Sequence, residues 1–90
     1  MSESGIVSLY VTCADAEEAA RIGRTLIEER LAACINIMAP CRSLYRWHGR
    51  IEEAEEVPAI LKTSSAMAEL AVRRIAELHS YENPAICVWP

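Results

Sequence analysis

An α+β sandwich, with two helices on one face of an antiparallel sheet, is the fold class this chain predicts, and three observations carry the prediction. Segments of alternating apolar character recur at Gly5 to Cys13, Cys34 to Met38, Ser43 to Thr63 and Ala85 to Trp89. Two stretches between them, starting near Ala16 and Met67, repeat at helical spacing instead. No linker, repeat or low-complexity run divides residues 1–90, which therefore form one domain. The order is β-α-β-β-α-β, the split βαβ plan of a ferredoxin-like sandwich.

The first segment, GIVSLYVTC, sets Val7, Leu9, Val11 and Cys13 against Ile6, Ser8, Tyr10 and Thr12 and reads as a central strand. Asp15 is an N-cap with Glu18 three residues on, a capping-box arrangement that starts a helix at Ala16. Its apolar stripe is Ala16, Ala19, Ala20, Gly23, Leu26, Ile27 and Leu31, and the small residues of its first half let it lie close to a sheet. Cys34 to Met38 is strand-like, and Ala39-Pro40-Cys41 interrupts the pattern with a bulge or bend.

Ser43 to Thr63 reads as one long hairpin turning at Gly49. Period two places Ser43, Tyr45 and Trp47 on one face and Leu44, Arg46 and His48 on the other, with His48 exposed at the tip. Glu52, Glu53, Glu55 and Glu56 form a solvated or salt-bridged arm, because alternation prevents four consecutive strand acids from converging on one ion. Pro58 predicts an edge position or a bulge. A second helix follows Ser64-Ser65, with Met67, Leu70, Ala71, Ile75 and Leu78 inward, and His79 to Pro84 leads to a last short strand. The helices cover one sheet face, so Tyr45, Trp47 and Trp89 are surplus apolar surface of the kind that marks self-assembly.

The totals exclude several classes. A net charge of −4 with nine Lys and Arg provides no basic footprint for nucleic acid. No apolar run approaches the roughly 18 residues of a membrane span. Met1 to Gly5 carries an acid and passes at once into an alternating strand, which predicts no signal peptide and a cytoplasmic location. Cys13, Cys34, Cys41 and Cys87 lack CxxC spacing and read as reduced, mostly buried thiols, Cys34 and Cys87 in the core.

Candidate chemistry collects near two junctions. Cys13 ends a strand just ahead of a helix N-terminus, where a thiolate is favoured and can ligate a soft metal; as a plain strand end it packs in the core. His79, Tyr81 and Glu82 bring an imidazole, a phenol and a carboxylate from one loop, enough to hold a cation or a small polar ligand; a histidine there also suits helix-end carbonyls. Nothing pairs a nucleophile with a base, and no Gly-rich phosphate loop occurs, so the chain reads as no enzyme. The Thr12 to Asp15 loop also lacks the arginine and glycines of an acylphosphatase-like cradle.

Thr12-Cys13 ahead of Asp15, the run ERLAACIN from Glu29 to Asn36, the hairpin S-x-Y-x-W-x-G-x-I-E-E from Ser43, Lys62-Thr63 and His79 to Pro84 together resemble the CutA family, the divalent-cation tolerance proteins. The likeness spans nearly the whole chain; Ser80 and Asn83 depart from the pattern, and family members continue beyond the position of Pro90 into a short helical segment. The resemblance implies a homotrimer with the architecture of PII signalling proteins, hairpins between subunits, and a role in tolerance of copper and other divalent cations. Two functions follow as expectations. One is a metal-response or signalling trimer that binds Cu2+ weakly, or a small ligand, through Cys13, His79, Tyr81 and Glu82. The other is a scaffold trimer for a partner protein, with no ligand of its own.

Overall fold

The computed structural model describes residues 5–90. Strand β1 (Ile6–Cys13) is followed by helix α1 (Ala16–Glu28), strands β2 (Cys34–Ile37), β3 (Cys41–Trp47) and β4 (Arg50–Ser64), helix α2 (Ala68–Leu78) and strand β5 (Ile86–Trp89). The antiparallel sheet runs β2-β4-β1-β5, and β3 pairs with β4 beyond the end of β2. With both helices on one face, this is the ferredoxin-like α+β sandwich expected from the sequence.

The core lies between that face and the helices. Leu9, Val11 and Cys13 of β1 stand opposite Leu61, Ala59 and Val57 of β4, and Ile22, Leu26, Ala71 and Ile75 close over them. Asp15 caps α1 by accepting the Glu18 N–H at 2.8 Å. The helix ends in a Schellman turn: Arg30 is left-handed at φ 62, and the N–H groups of Arg30 and Leu31 return to the carbonyls of Ile27 and Leu26. A Cβ on Gly23 would sit 2.6 Å from the Ile35 side chain, so glycine here sets how closely α1 approaches β2.

Several details differ from the sequence reading. Ile22 is fully buried in α1, while Ala16 and Ile27 are exposed. In α2 the buried line is Ala71 and Ile75, flanked by Ala68, Val72 and Leu78, and Leu70 faces solvent because it is turned about 100° from Ala71. Cys34 is half-buried and Cys87 exposed, since the register places them opposite Lys62 and Tyr10 on the uncovered sheet face; only Cys13 is a core thiol. All four cysteines are free.

Pro58 is not at an edge, because β4 runs between β1 and β2. Its carbonyl accepts the Met38 N–H at 2.9 Å, which shows that its polar backbone atoms point away from β1. There Met38, Ala39 and Pro40 face only Val57 and Pro58, the break anticipated at Pro40, so the missing N–H costs no ladder bond. Beyond the break the β3–β4 hairpin extends as an arm. It turns through His48 and Gly49, both left-handed at φ 51 and 75, the two-residue pattern that matches strand twist. Apolar side chains are exposed on both faces of the arm: Tyr45 and Trp47 on one, Leu44 and Ile51 on the other.

Candidate functional site

The end of β1, the first turn of α1 and the loop after α2 meet at one buried junction. Cys13 closes β1 on the core face, Glu18 lies in the first turn of α1, and His79 caps α2. One ligand atom from each of these three buried residues lies within 4.8 Å of the others. Cys13 and His79, named from sequence, are thus brought together, and Glu18 joins them. The sequence reading gave Glu18 only a capping role, yet it follows Asp15 by three residues and stands beside inward-facing Ala19 and Ile22, which marks an acid turned toward the core.

Hydrogen bonds fix each group. Glu18 Oε1 accepts the Ala14 N–H at 2.8 Å and Oε2 accepts the Ser80 N–H at 2.7 Å, with Arg21 at 3.6 Å. Burial opposes ionisation of Glu18, but the donors of Ser80 and Ala14 outweigh it and hold the carboxyl below its usual range. Tyr81 N–H donates to His79 Nδ1 at 3.1 Å, so the imidazole proton sits on Nε2, which donates to the Thr12 carbonyl at 2.8 Å. That carbonyl lies one residue past the last β1–β5 pair, Val11 with Ile86, and the histidine supplies the donor that the strand does not. Burial, then the charges of Glu18 and Asp15, push the Cys13 thiol up to about 11, so it is protonated at neutral pH.

Tyr81 serves a second place. Its ring leans on His79 at 4.6 Å between centroids, while its hydroxyl crosses to the uncovered sheet face and donates to Glu56 Oε2 at 2.9 Å. Burial and that carboxylate push the phenol above its ordinary range. Glu56 is itself buried, unlike the solvated arm expected for all four acids; Glu53 does behave as expected, pairing with Arg42 at 3.2 Å. Glu82 is exposed and outside both clusters. His48 is exposed at the hairpin tip, edge-on to Trp47 at 4.7 Å. Sequence reasoning missed Glu56, although alternation along both strands, with the register set by the two-residue turn at His48 and Gly49, places it on one face with Tyr45 and Trp47.

The family described as CutA1 divalent ion tolerance protein matches residues 7–90. The divalent-cation tolerance protein CutA of Pyrococcus horikoshii is 46% identical over 81 residues, 90% of this chain and 78% of the relative. Its namesake in Archaeoglobus fulgidus is 42% identical over 82 residues, 91% of this chain and 79% of that one. The crystal structure of CutA from Xylella fastidiosa superposes with a TM-score of 0.92 at 34% identity, covering 96% of this chain and 83% of its own.

Proposed function

This chain belongs to the CutA1 divalent ion tolerance family, and from that premise we propose that it is a self-assembling, non-catalytic protein that takes up a soft divalent cation at the β1–α1–loop junction. The observation that carries the reading is the convergence of a thiol, a carboxylate and an imidazole within 4.8 Å. This donor set suits copper or zinc better than magnesium or calcium. Cys13, Glu18 and His79 fit such an ion in type and spacing, and as ligands they would hold it as a charge-neutralising structural centre.

The cost of occupation is also visible. Both His79 nitrogens and both Glu18 oxygens are already hydrogen-bonded, and the Cys13 thiol keeps its proton up to about pH 11. Uptake at neutral pH must therefore release that proton, which makes binding weak and raises apparent affinity about tenfold per pH unit below the thiol pKa. Held donors of this kind also support a non-enzymatic role, because no base stands free beside a nucleophile at the junction. The assembled form we propose is a cytoplasmic homotrimer joined through the hairpin arm, supported by the exposed Leu44, Tyr45, Trp47 and Ile51 and by four free thiols suited to a reducing compartment.

Calorimetric titration with Cu2+ tests the reading. The wild-type protein is expected to bind with release of one proton, seen as a dependence on buffer ionisation enthalpy, and a Cys13→Ala, His79→Ala double variant is expected to lose that site. Identical isotherms for the two proteins would overturn it. The complete hydrogen bonding of Glu18 and His79 favours a second reading, a structural clasp in a trimeric scaffold for a partner protein. A wild-type protein indifferent to metal would leave that reading standing.

A further inference from the structure

A cavity of about 410 Å3 opens on the uncovered sheet face where the hairpin arm leaves the sheet, lined by Ser43, Tyr45, Trp47, Glu56, Tyr81 and Asn83 among others. We propose that this cavity binds an organic cation, a compact ammonium or guanidinium group, with Glu56 as its counter-charge and Tyr45 and Trp47 as aromatic walls.

Glu56 is the reason. Glu56 is 8% exposed, and among the described residues the one side-chain hydrogen bond it accepts comes from the neutral phenol of Tyr81 at 2.9 Å, to Oε2. Among the described residues it has no ion pair, whereas Glu18, Glu29, Glu53, Glu69 and Glu77 each have an arginine. Among the described residues Oε1 has no protein donor, yet it is not sealed from solvent and can meet a ligand in the cavity. A buried carboxylate without a cation is costly, so one supplied from outside is favoured there.

The walls select the kind of cation. Tyr45 and Trp47 alternate along β3 onto the same face as Glu56, and their pairing with Glu52 and Arg50 of β4 holds both at the mouth, about half exposed. Electron-rich ring faces attract a diffuse organic cation. A divalent metal is served poorly, because hard cations take six or more oxygen ligands and the cavity's one carboxylate, Glu56, is joined only by the neutral oxygens of Thr12, Ser43 and Asn83 and a phenol that keeps its proton. Among the described residues no lysine, arginine or histidine lines the cavity, so an anion finds no cationic partner inside it. The volume lies at the lower end of the range for small-molecule sites, about 300–1,000 Å3.

The cationic group has two possible carriers, a free small amine or a basic side chain of a second copy of this chain, and the experiment separates them. Trp47 fluorescence, isolated in a Trp89→Phe background, is titrated with agmatine and tetramethylammonium, with 1-butanol as neutral control, while light scattering follows the mass. A saturable response to the cations, at least tenfold weaker in Glu56→Gln and several-fold weaker in Tyr45→Leu, at constant mass, identifies a free amine. A fall in mass, caused by agmatine or by Glu56→Gln, identifies a side chain of a second copy. An equal response in Glu56→Gln and in the Trp89→Phe background, a response to butanol, or no response with unchanged mass overturns the proposal. Tyr45→Leu truncates a half-exposed wall and, read at a mass that light scattering shows to be unchanged, keeps the test decisive where Glu56→Gln does not fold. None of these variants touches Cys13, Glu18 or His79, so the outcome is independent of the metal reading.

Discussion

From Val57 to Thr63, strand β4 pairs with β1 beneath the helices, flanked by β2 from Ala59 to Lys62, and Val57, Ala59, Leu61 and Thr63 are buried; from Arg50 to Glu55 the same strand pairs with β3 alone, and Ile51 is 68% exposed. Both halves carry apolar and β-branched residues and both form regular ladders. Backbone pairing is therefore not what separates them. One half is covered by Ile22, Leu26, Ala71 and Ile75, and among the described residues no helix packs over the other. The covered half determines the fold of one chain, and the uncovered half carries surface whose use lies outside it.

The largest effect is expected where the cover is complete. Leu61→Ala removes a fully buried side chain opposite Leu9, and the cavity it leaves should cost about 3 kcal/mol in urea unfolding, within the range of core truncations. A loss below about 1 kcal/mol would show that the core refills the space, and the contrast between the two halves of β4 would weaken.

A smaller effect is expected at the junction, where stability rests on polar bonds. Glu18→Gln keeps the shape but sets an amide NH2 against one of the backbone donors of Ala14 and Ser80, at a cost of about 1–2 kcal/mol near pH 7. The signs of the pH dependence follow from the two shifted groups. The Glu18 carboxyl is held low in the folded chain, so its contribution is present above the ordinary pKa of about 4.3 and is lost as pH falls through the folded value. The Cys13 thiol is raised from 9.0 to about 11, so its contribution is present below pH 9 and is lost as pH rises from 9 to about 11. Glu18→Gln should flatten the acid limb and also shrink the alkaline limb, because the Glu18 charge is, after burial, a cause of the raised Cys13 thiol. An unchanged acid limb would remove Glu18 from the account.

Much of this was legible in the sequence, for reasons that can be named. Alternation in IVSLYVTC and the Asp15 cap are local signals, and local chemistry placed β1 and α1 nearly to the residue. Cys13 and His79 were legible as chemistry-bearing types at element ends, while their meeting depends on α2 returning its C-terminus to the end of β1, a matter of topology. Glu18 and Glu56 were hidden because an acid in a first helical turn and an acid in an acidic run have solvated explanations that suffice locally. Their burial arises only when Ser80 and Tyr81 arrive from a loop more than twenty residues away in sequence. Pro58 was legible in part: the edge alternative fails because β4 runs between β1 and β2 and the Pro58 nitrogen points away from β1, while the bulge alternative is met, since Met38, Ala39 and Pro40 face the two residues Val57 and Pro58.

The smallest effect on the subunit, and the sharpest test of the contrast, belongs to the arm. Ile51→Ala removes a mostly exposed side chain, and unfolding of the isolated subunit should change by less than about 0.5 kcal/mol. If it costs as much as Leu61→Ala, the arm belongs to the core of the folding unit. Trp47→Glu places a charge on the face shared with Tyr45, and light scattering should report smaller species whose unfolding midpoint no longer rises with protein concentration. Read together, the two variants separate the roles of β4. An arm that is inert in the single subunit and necessary in the assembly gives the exposed side chains their destination. An intact assembly of normal stability in Trp47→Glu would instead leave Trp47 to the cavity beside Glu56, because the aromatic surface would then have no other demonstrated partner.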